Sequence, residues 1–140
     1  MNYKKIFLKK GKESSLERFH PWVFSGAVAY ADKNIAEGEI VEVYTANKEF
    51  IAVGHFQIGS IAVRVLSFNQ QEINHDFWVK RLAAAYQMRK DLGLDYTPEH
   101  SSFRLVHGEG DFLPGLIVDF YGSTAVMQAH SVGMHMHRQE

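Results

Sequence analysis

The chain has 140 residues, a formal net charge of −1, 46% hydrophobic and 22% charged residues, and no cysteine. That length suits one domain or two small ones with a buried core, and the composition excludes a thiolate nucleophile and a cysteine-built zinc site. No apolar run reaches the roughly 20 residues of a spanning helix, and the start, MNYKKIFLKKGKE, lacks the apolar core of a secretion signal, so a cytoplasmic protein is expected.

Lys4 to Lys9 reads as a strand with Ile6 and Leu8 on one side, broken by Gly11. A short helix is expected over Ser14–Phe19, capped by Ser14 or Ser15, and it stops because Pro21 disfavours helical geometry at His20. WVFSGAV (Trp22–Val28) is β-prone. EIVEVY (Glu39–Tyr44), FIAVGHF (Phe50–Phe56) and IAVRVLSF (Ile61–Phe68) follow as strands, with TANKE as a turn between the first two. Several short strands joined by tight turns indicate a small antiparallel or mixed barrel over residues 1–70.

The polar stretch NQQEINHDFW (Asn69–Trp78) marks the expected domain boundary, with a second domain over 73–140. From Asp76 the apolar period becomes helical. Trp78, Leu82, Ala85, Tyr86 and Leu92 fall on one face, and Lys80, Arg81, Lys90 and Asp91 fall elsewhere. Asn74 suits the N-cap, Arg89 and Lys90 the last turn, and Gly93 a left-handed stop. After a polar loop to Ser102 come the strand FRLVH, a glycine-rich connection, the strand GLIVDFY, a Gly122–Ser123 hairpin turn and the strand TAVMQAH. Ser131 can cap one more helix. Only about two turns of sequence follow it, so the chain is expected to be cut from a longer protein.

Charge is unevenly spread. Over residues 1–20, Lys4, Lys5, Lys9, Lys10, Lys12 and Arg18 outnumber Glu13 and Glu17, whereas over 32–50 the acids Asp32, Glu37, Glu39, Glu42 and Glu49 outnumber Lys33 and Lys48. Such asymmetry fits a polyanion-binding face, and equally a solvated strand and hairpin.

The stretch HGEGDFLPGLIVDFYG (His107–Gly122) holds the densest chemistry. Gly108, Gly110 and Gly115 miss the dinucleotide spacing G-x-G-x-x-G, and a strand-like run follows where that motif needs a helix N-terminus. Glu109 and Asp111 are a weak acid/base pair, because nothing apolar encloses them to separate their pKa values. His130, His135 and His137 offer no i, i+4 pair for a helical metal site, so no metal is expected, and no G-x-S-x-G elbow exists. What remains is a basic arm beside aromatics: Lys9, Lys10 and Lys12 around Gly11, then Arg18, His20, Trp22 and Phe24. Lysine and arginine attract phosphate, and exposed rings stack on unpaired bases; the alternatives are a solvated strand edge for the lysines and burial in the barrel for Trp22 and Phe24, which is expected for at least one of the two.

LKKGKESSLERFHPWVFSGAV, GEIVEVYTANKEFIAVGHF, SIAVRVLSF and FRLVHGEGDFLPGLIVDFYG together resemble the N-terminal part of the ribosomal RNA large subunit methyltransferase I family, S-adenosylmethionine-dependent cytosine-C5 methyltransferases. HPWVFSGAV and RLVHGEGDFLPGLIVD are the most specific parts. The family pattern D-G-L-P-G stands here with Phe112 in its second position.

The resemblance implies a β-rich PUA-like pseudobarrel over residues 1–70 and a small α+β domain over 73–140, with the Rossmann-like methyltransferase domain absent from this chain. It implies S-adenosylmethionine in the longer parent and none bound to this fragment, ribosomal RNA as partner, and no membrane. A homodimer is left open. Lys9, Lys10, Lys12, Arg18 and His20 are the expected RNA-backbone contacts and Trp22 a stacking residue; Glu109 and Asp111 are placed in a possible substrate-entrance loop. Arg64 is read as a sheet-face residue, and Arg104 as a partner for Glu109 or Asp111. Two rivals stand beside this: a protein-interaction or oligomerisation module without RNA affinity, and a small enzyme using His107, Glu109 and Asp111.

Overall fold

A computed structural model describes residues 2–94 and 102–140. The polar loop expected before Ser102 falls mostly on residues 95–101, outside the described residues. The chain divides into two compact units, Met1–Glu72 and Ile73–Glu140.

The first unit is a six-stranded mixed sheet. Its strands are β1 (Lys4–Leu8), β2 (Trp22–Phe24), β3 (Val28–Ala31), β4 (Ile40–Tyr44), β5 (Phe50–Phe56) and β6 (Ile61–Ser67). The order is β2-β6-β5-β4-β1-β3; β1 and β4 run parallel and the other pairs antiparallel. Strand periodicity sorts the side chains. Ile6 and Leu8 of β1, Val23 of β2, Val41 and Val43 of β4, Ala52 of β5, and Ala62, Val63 and Val65 of β6 form one buried core with Leu16. Register shifts at Phe7/Leu8, Val23/Phe24, Val43/Tyr44 and Val53/Gly54 bend the strands, which lets so short a sheet curl around that core. Gly54 permits the tightest approach: a Cβ there would lie 2.2 Å from the Arg64 carbonyl oxygen of β6.

The helix α1 (Ser14–Glu17) is a single turn that plugs Leu16 into the core. It is shorter than expected, and neither serine caps it. Its N-cap is Glu13, in helical conformation and with no side-chain bond to the turn, while Phe19 at φ 62° reverses the chain before Pro21 acts. Trp22–Val28 is likewise not one strand, because a 3₁₀ turn at Ser25–Ala27 separates β2 from β3.

The second unit pairs α2 (His75–Asp91) with a three-stranded antiparallel sheet of β7 (Ser102–His107), β8 (Leu116–Tyr121) and β9 (Thr124–Ala129), in that order, followed by α3 (Val132–Met136). The caps are as the sequence indicates. The Asn74 side chain accepts from Phe77 N at 3.1 Å, Gly93 takes φ 78°, and Ser131 accepts from Met134 N at 3.3 Å. The buried face of α2 differs from the expected one. Phe77, Trp78 and Ala85 are buried, while Leu82 and Leu92 are exposed. Arg81, assigned to the polar face, is half-buried with its guanidinium 5.1 Å from the Phe77 ring centroid and 5.4 Å from that of Phe112. Residues 77, 81, 85 and 89 form an i, i+4 stripe, so two arginines occupy positions that a hydropathy pattern assigns to apolar residues.

Candidate nucleic-acid interface

β1 ends at Leu8 and runs into the turn Lys9-Lys10-Gly11-Lys12. Lys12 N donates to Lys9 O at 3.0 Å, Gly11 adopts φ 80°, and Lys9 N donates to Ala27 O at 2.9 Å, which pins the turn to the segment joining β2 and β3. The three lysines are exposed, and among the described residues they enter no ion pair. The other basic residues of this strand have internal duties. Lys4 Nζ lies 3.1 Å from Glu39 Oε2 and donates to Asn34 O, and Lys5 Nζ sits 5.0 Å above the Tyr44 ring. The charge free to meet an anion is therefore concentrated on the turn.

A cleft of about 420 Å³ opens beside this turn, lined by Gly11, Lys12, Ser14, Ser15, Phe24, Gly26 and Ala27. It brings together Lys12, two serines that make no helix-capping bond and the aromatic Phe24. The ring belongs to a cluster. His20, Trp22 and Phe24 lie with centroids 6.0, 5.9 and 6.3 Å apart, Trp22 N donates to His20 Nδ1 at 3.2 Å, and Phe24 is 48% exposed. Strand alternation explains the arrangement: buried Val23 turns its neighbours Trp22 and Phe24 outward.

Of the expected contact residues, Lys12 lines the cleft, Lys9 and Lys10 share its turn, and His20 and Trp22 reach it through Phe24. Arg18 is exposed but does not line it. Ser14, Ser15 and Gly26 were not singled out by sequence reasoning, since serines beside a helix start read as caps. Arg64 is half-buried and donates from Nη1 to Gln57 Oε1 at 2.9 Å.

The acidic pair in the second unit is built differently. A 3₁₀ turn, Gly108–Asp111, follows β7 and leads through Phe112 at φ 58° and Pro114 into β8. Asp111 is buried and receives a two-pronged bond from Arg89, Nη1 to Oδ1 at 2.6 Å and Nη2 to Oδ2 at 2.8 Å, together with His107 N at 2.6 Å. Burial alone would raise its pKa, but the Arg89 hydrogen bonds, the His107 N–H and the nearby positive charge outweigh burial and hold the carboxyl below its ordinary value. A carboxylate kept ionised and saturated with donors is a poor proton shuttle. Arg104 pairs neither with Glu109 nor with Asp111. It binds Asp119 across the β7–β8 ladder, Nε to Oδ1 at 2.8 Å and Nη2 to Oδ2 at 3.2 Å, because strand register sets the two opposite each other. Those hydrogen bonds lower the Asp119 pKa. Among the described residues no three histidines or acids converge as metal ligands.

Residues 6–68 match the family model described as a PUA-like domain, and the first unit has the β-rich, curled sheet of that class. The particular relatives extend the match to nearly the whole chain. It is 41% identical over 136 residues to ribosomal RNA large subunit methyltransferase I of Erwinia tasmaniensis, covering 96% of this chain and 34% of that protein. Against the proteins of the same name from Photobacterium profundum and Citrobacter koseri it is 42% identical over 131 residues and 39% over 140, covering 91% and 96% of this chain and 32% and 34% of theirs. The chain is thus related to the ribosomal RNA large subunit methyltransferase I family, as its motifs indicate, and spans about a third of the length of these curated relatives. A solved Streptococcus mutans structure described as a SAM-dependent methyltransferase shares the fold, with a TM-score of 0.78 and 17% identity over 96% of this chain and 35% of that one.

The glycine-rich connection does not fit S-adenosylmethionine. It enters a strand instead of a helix, and a Cβ at Gly115 would lie 2.4 Å from Ser131 Oγ, so that glycine makes room for the chain's own serine and not for a ligand. No helix of the described residues is long and apolar enough to cross a membrane.

Proposed function

We propose that this chain is the RNA-binding and substrate-positioning N-terminal part of an S-adenosylmethionine-dependent ribosomal RNA (cytosine-C5) methyltransferase. The observation that carries the reading is the convergence of Lys12, exposed Phe24, Ser14 and Ser15 on one cleft beside a turn that also carries Lys9 and Lys10. Phosphates meet the lysines of the turn, a base lies against Phe24, and the His20–Trp22 pair stiffens that ring from behind. The names of the relatives supply the ribosomal RNA and the methyl transfer. S-adenosylmethionine would donate the methyl group when bound elsewhere in the longer protein. The addition of a nucleophile at cytosine C6 also falls outside this chain, which has no cysteine to supply a thiolate. In this reading the connection from Glu109 to Phe112 borders the substrate entrance: Asp111 anchors it internally, and exposed Gly110 and Phe112 form its surface.

Titration of the 140-residue chain against a labelled single-stranded ribosomal RNA segment at two salt concentrations tests this. Changing Lys9, Lys10 and Lys12 to alanine should weaken binding and flatten the salt slope by about 0.7 per lost phosphate contact. Unchanged affinity and slope would remove the turn from the interface.

A second reading, an oligomerisation module, rests on β9. It is the edge of its sheet, carries no charged residue, and exposes Val126 and Met127. It predicts a sedimentation coefficient that rises with concentration and falls back on Val126→Lys.

A further inference from the structure

The outer face of β1 carries a second aromatic arrangement, separate from the cleft. Alternation sends Ile6 and Leu8 into the core and leaves Lys5 and Phe7 outside. Strand register then aligns rings across four strands: Phe7 opposite Tyr30 of β3 and Tyr44 of β4, and Tyr44 opposite Phe50 of β5. Phe7 and Tyr30 stack at 4.5 Å with planes 16° apart, and Phe7 and Tyr44 at 5.6 Å and 29°. Phe50 closes the far end edge-on, 5.9 Å from Tyr44.

Among the described residues the stack is anchored at that end only. The Tyr44 hydroxyl donates to Glu42 Oε2 at 2.8 Å, and the other carboxylate oxygen of Glu42 accepts from Gln70 Nε2 at 3.0 Å. At the opposite end Tyr30 sits on the edge strand of the sheet and is 54% exposed. Rings ordered in parallel and ending at an exposed tyrosine give a platform whose ordering cost is already met before a ligand arrives. Positive charge lies along β1. Lys5 stands over Tyr44, and β1 runs from Phe7 into the lysine turn, with Lys9 about 7 Å beyond Phe7. Asp32 accepts from Lys5 N at 2.8 Å and keeps its negative charge, so phosphates are placed at the lysine turn and not at the platform itself.

We infer that Tyr30 binds an unpaired RNA base as the next member of the Tyr30–Phe7–Tyr44 stack. A single RNA strand then follows β1, with one base on Tyr30 and its phosphates on the lysine turn. The inference rests on the RNA reading of that turn, and the two fail differently.

The test titrates the 140-residue chain with an unstructured RNA oligomer bearing 2-aminopurine, comparing Tyr30→Leu, Tyr30→Trp and the triple lysine variant. Tyr30→Leu should weaken binding about tenfold with the salt slope unchanged and lose the fluorescence quenching that stacking produces, whereas Tyr30→Trp keeps both. The triple lysine variant should change the slope. Lysine-dependent binding that ignores Tyr30→Leu overturns the stacking site and leaves the basic turn standing. Binding that depends on Tyr30 but not on the lysines does the reverse, and no binding by the parent chain overturns both. If the chain self-associates and Tyr30→Leu abolishes that without altering RNA affinity, the stack is an interface between copies and the inference falls.

Discussion

The two units use their charged residues in opposite ways. In the first, Lys9, Lys10 and Lys12 stay on an exposed turn, and its ion pair is the half-open Lys4–Glu39 contact, with side chains 37% and 31% exposed. In the second, Arg89 and Asp111 are 11% and 2% exposed and tie α2 to the β7–β8 connection. The core explains the difference. The first unit closes an apolar core on its curled sheet and satisfies buried Glu42 with the neutral donors Tyr44 and Gln70, so its lysines are not drawn into the interior. Three strands, one long helix and one short helix enclose less apolar surface, and the second unit completes its interior with the Arg89–Asp111 pair and the Arg81–ring contacts. Pairs of this kind add little when intact and cost much when halved.

That contrast predicts the largest effect at Asp111. Asp111→Ala leaves the Arg89 guanidinium buried without its partner and should cost about 3–5 kcal/mol in the second unit, while RNA binding through the first unit persists. The sequence provides one tryptophan per unit, Trp22 and Trp78, so a Trp22→Phe background lets Trp78 fluorescence report denaturant unfolding of the second unit alone. The same reporter should show an acid dependence. The Asp111 and Asp119 pKa values are lowered by folding, so their stabilisation is complete above the unfolded carboxylate value near 3.9 and is lost as pH falls through the folded values. Asp111→Ala should flatten that loss.

The largest effect in the first unit should come from packing. Gly54→Ala drives a Cβ to 2.2 Å from the Arg64 carbonyl, and the β5–β6 ladder has to part. A loss of about 1–3 kcal/mol is expected. Gly26→Ala is its control. Nothing lies within 4 Å of a Cβ there, so stability should hold while the new methyl narrows the cleft and weakens RNA binding. A Gly54→Ala chain as stable as the parent would show that the strands have room to move apart at no cost.

How much of this was legible in the sequence follows the same division. Alternation made β1, β4, β5 and β6 legible in the first unit, because one apolar face and one wet face leave a period-2 signature, but it did not separate β3, and the burial expected for at least one of Trp22 and Phe24 gives way to a half-buried Trp22 and an exposed Phe24. In α2 the helical period was clear, but the buried stripe was not. Arg81 and Arg89 lie inside because Phe112 and Asp111, more than 20 residues away in sequence, receive them, and no local pattern carries that information. Arg104 was misassigned for a related reason: proximity in sequence suggested Glu109 or Asp111, whereas antiparallel register delivers Asp119. The Tyr30–Phe7–Tyr44 stack was invisible until register was known, since the parallel pairing of β1 with β4 crosses more than 30 residues.

The smallest expected effect separates a cap from its imitation. Asn74 and Ser14 both precede helical sequence beside suitable polar residues, and the sequence pattern treats them alike. Only Asn74 makes the bond, to Phe77 N, and Asn74→Ala should cost about 1 kcal/mol in the Trp78-reported transition. Ser14 lies inside a one-turn helix whose cap position belongs to Glu13, with no side-chain bond. Ser14→Ala and Ser15→Ala should therefore shift the stability of the first unit by less than about 0.5 kcal/mol. Both serines line the cleft shared with Lys12 and Phe24, so the same two substitutions should weaken RNA binding. Loss of stability with RNA affinity intact would return the serines to the structural role their position in the sequence suggests, and would leave the cleft to the lysines and the ring alone.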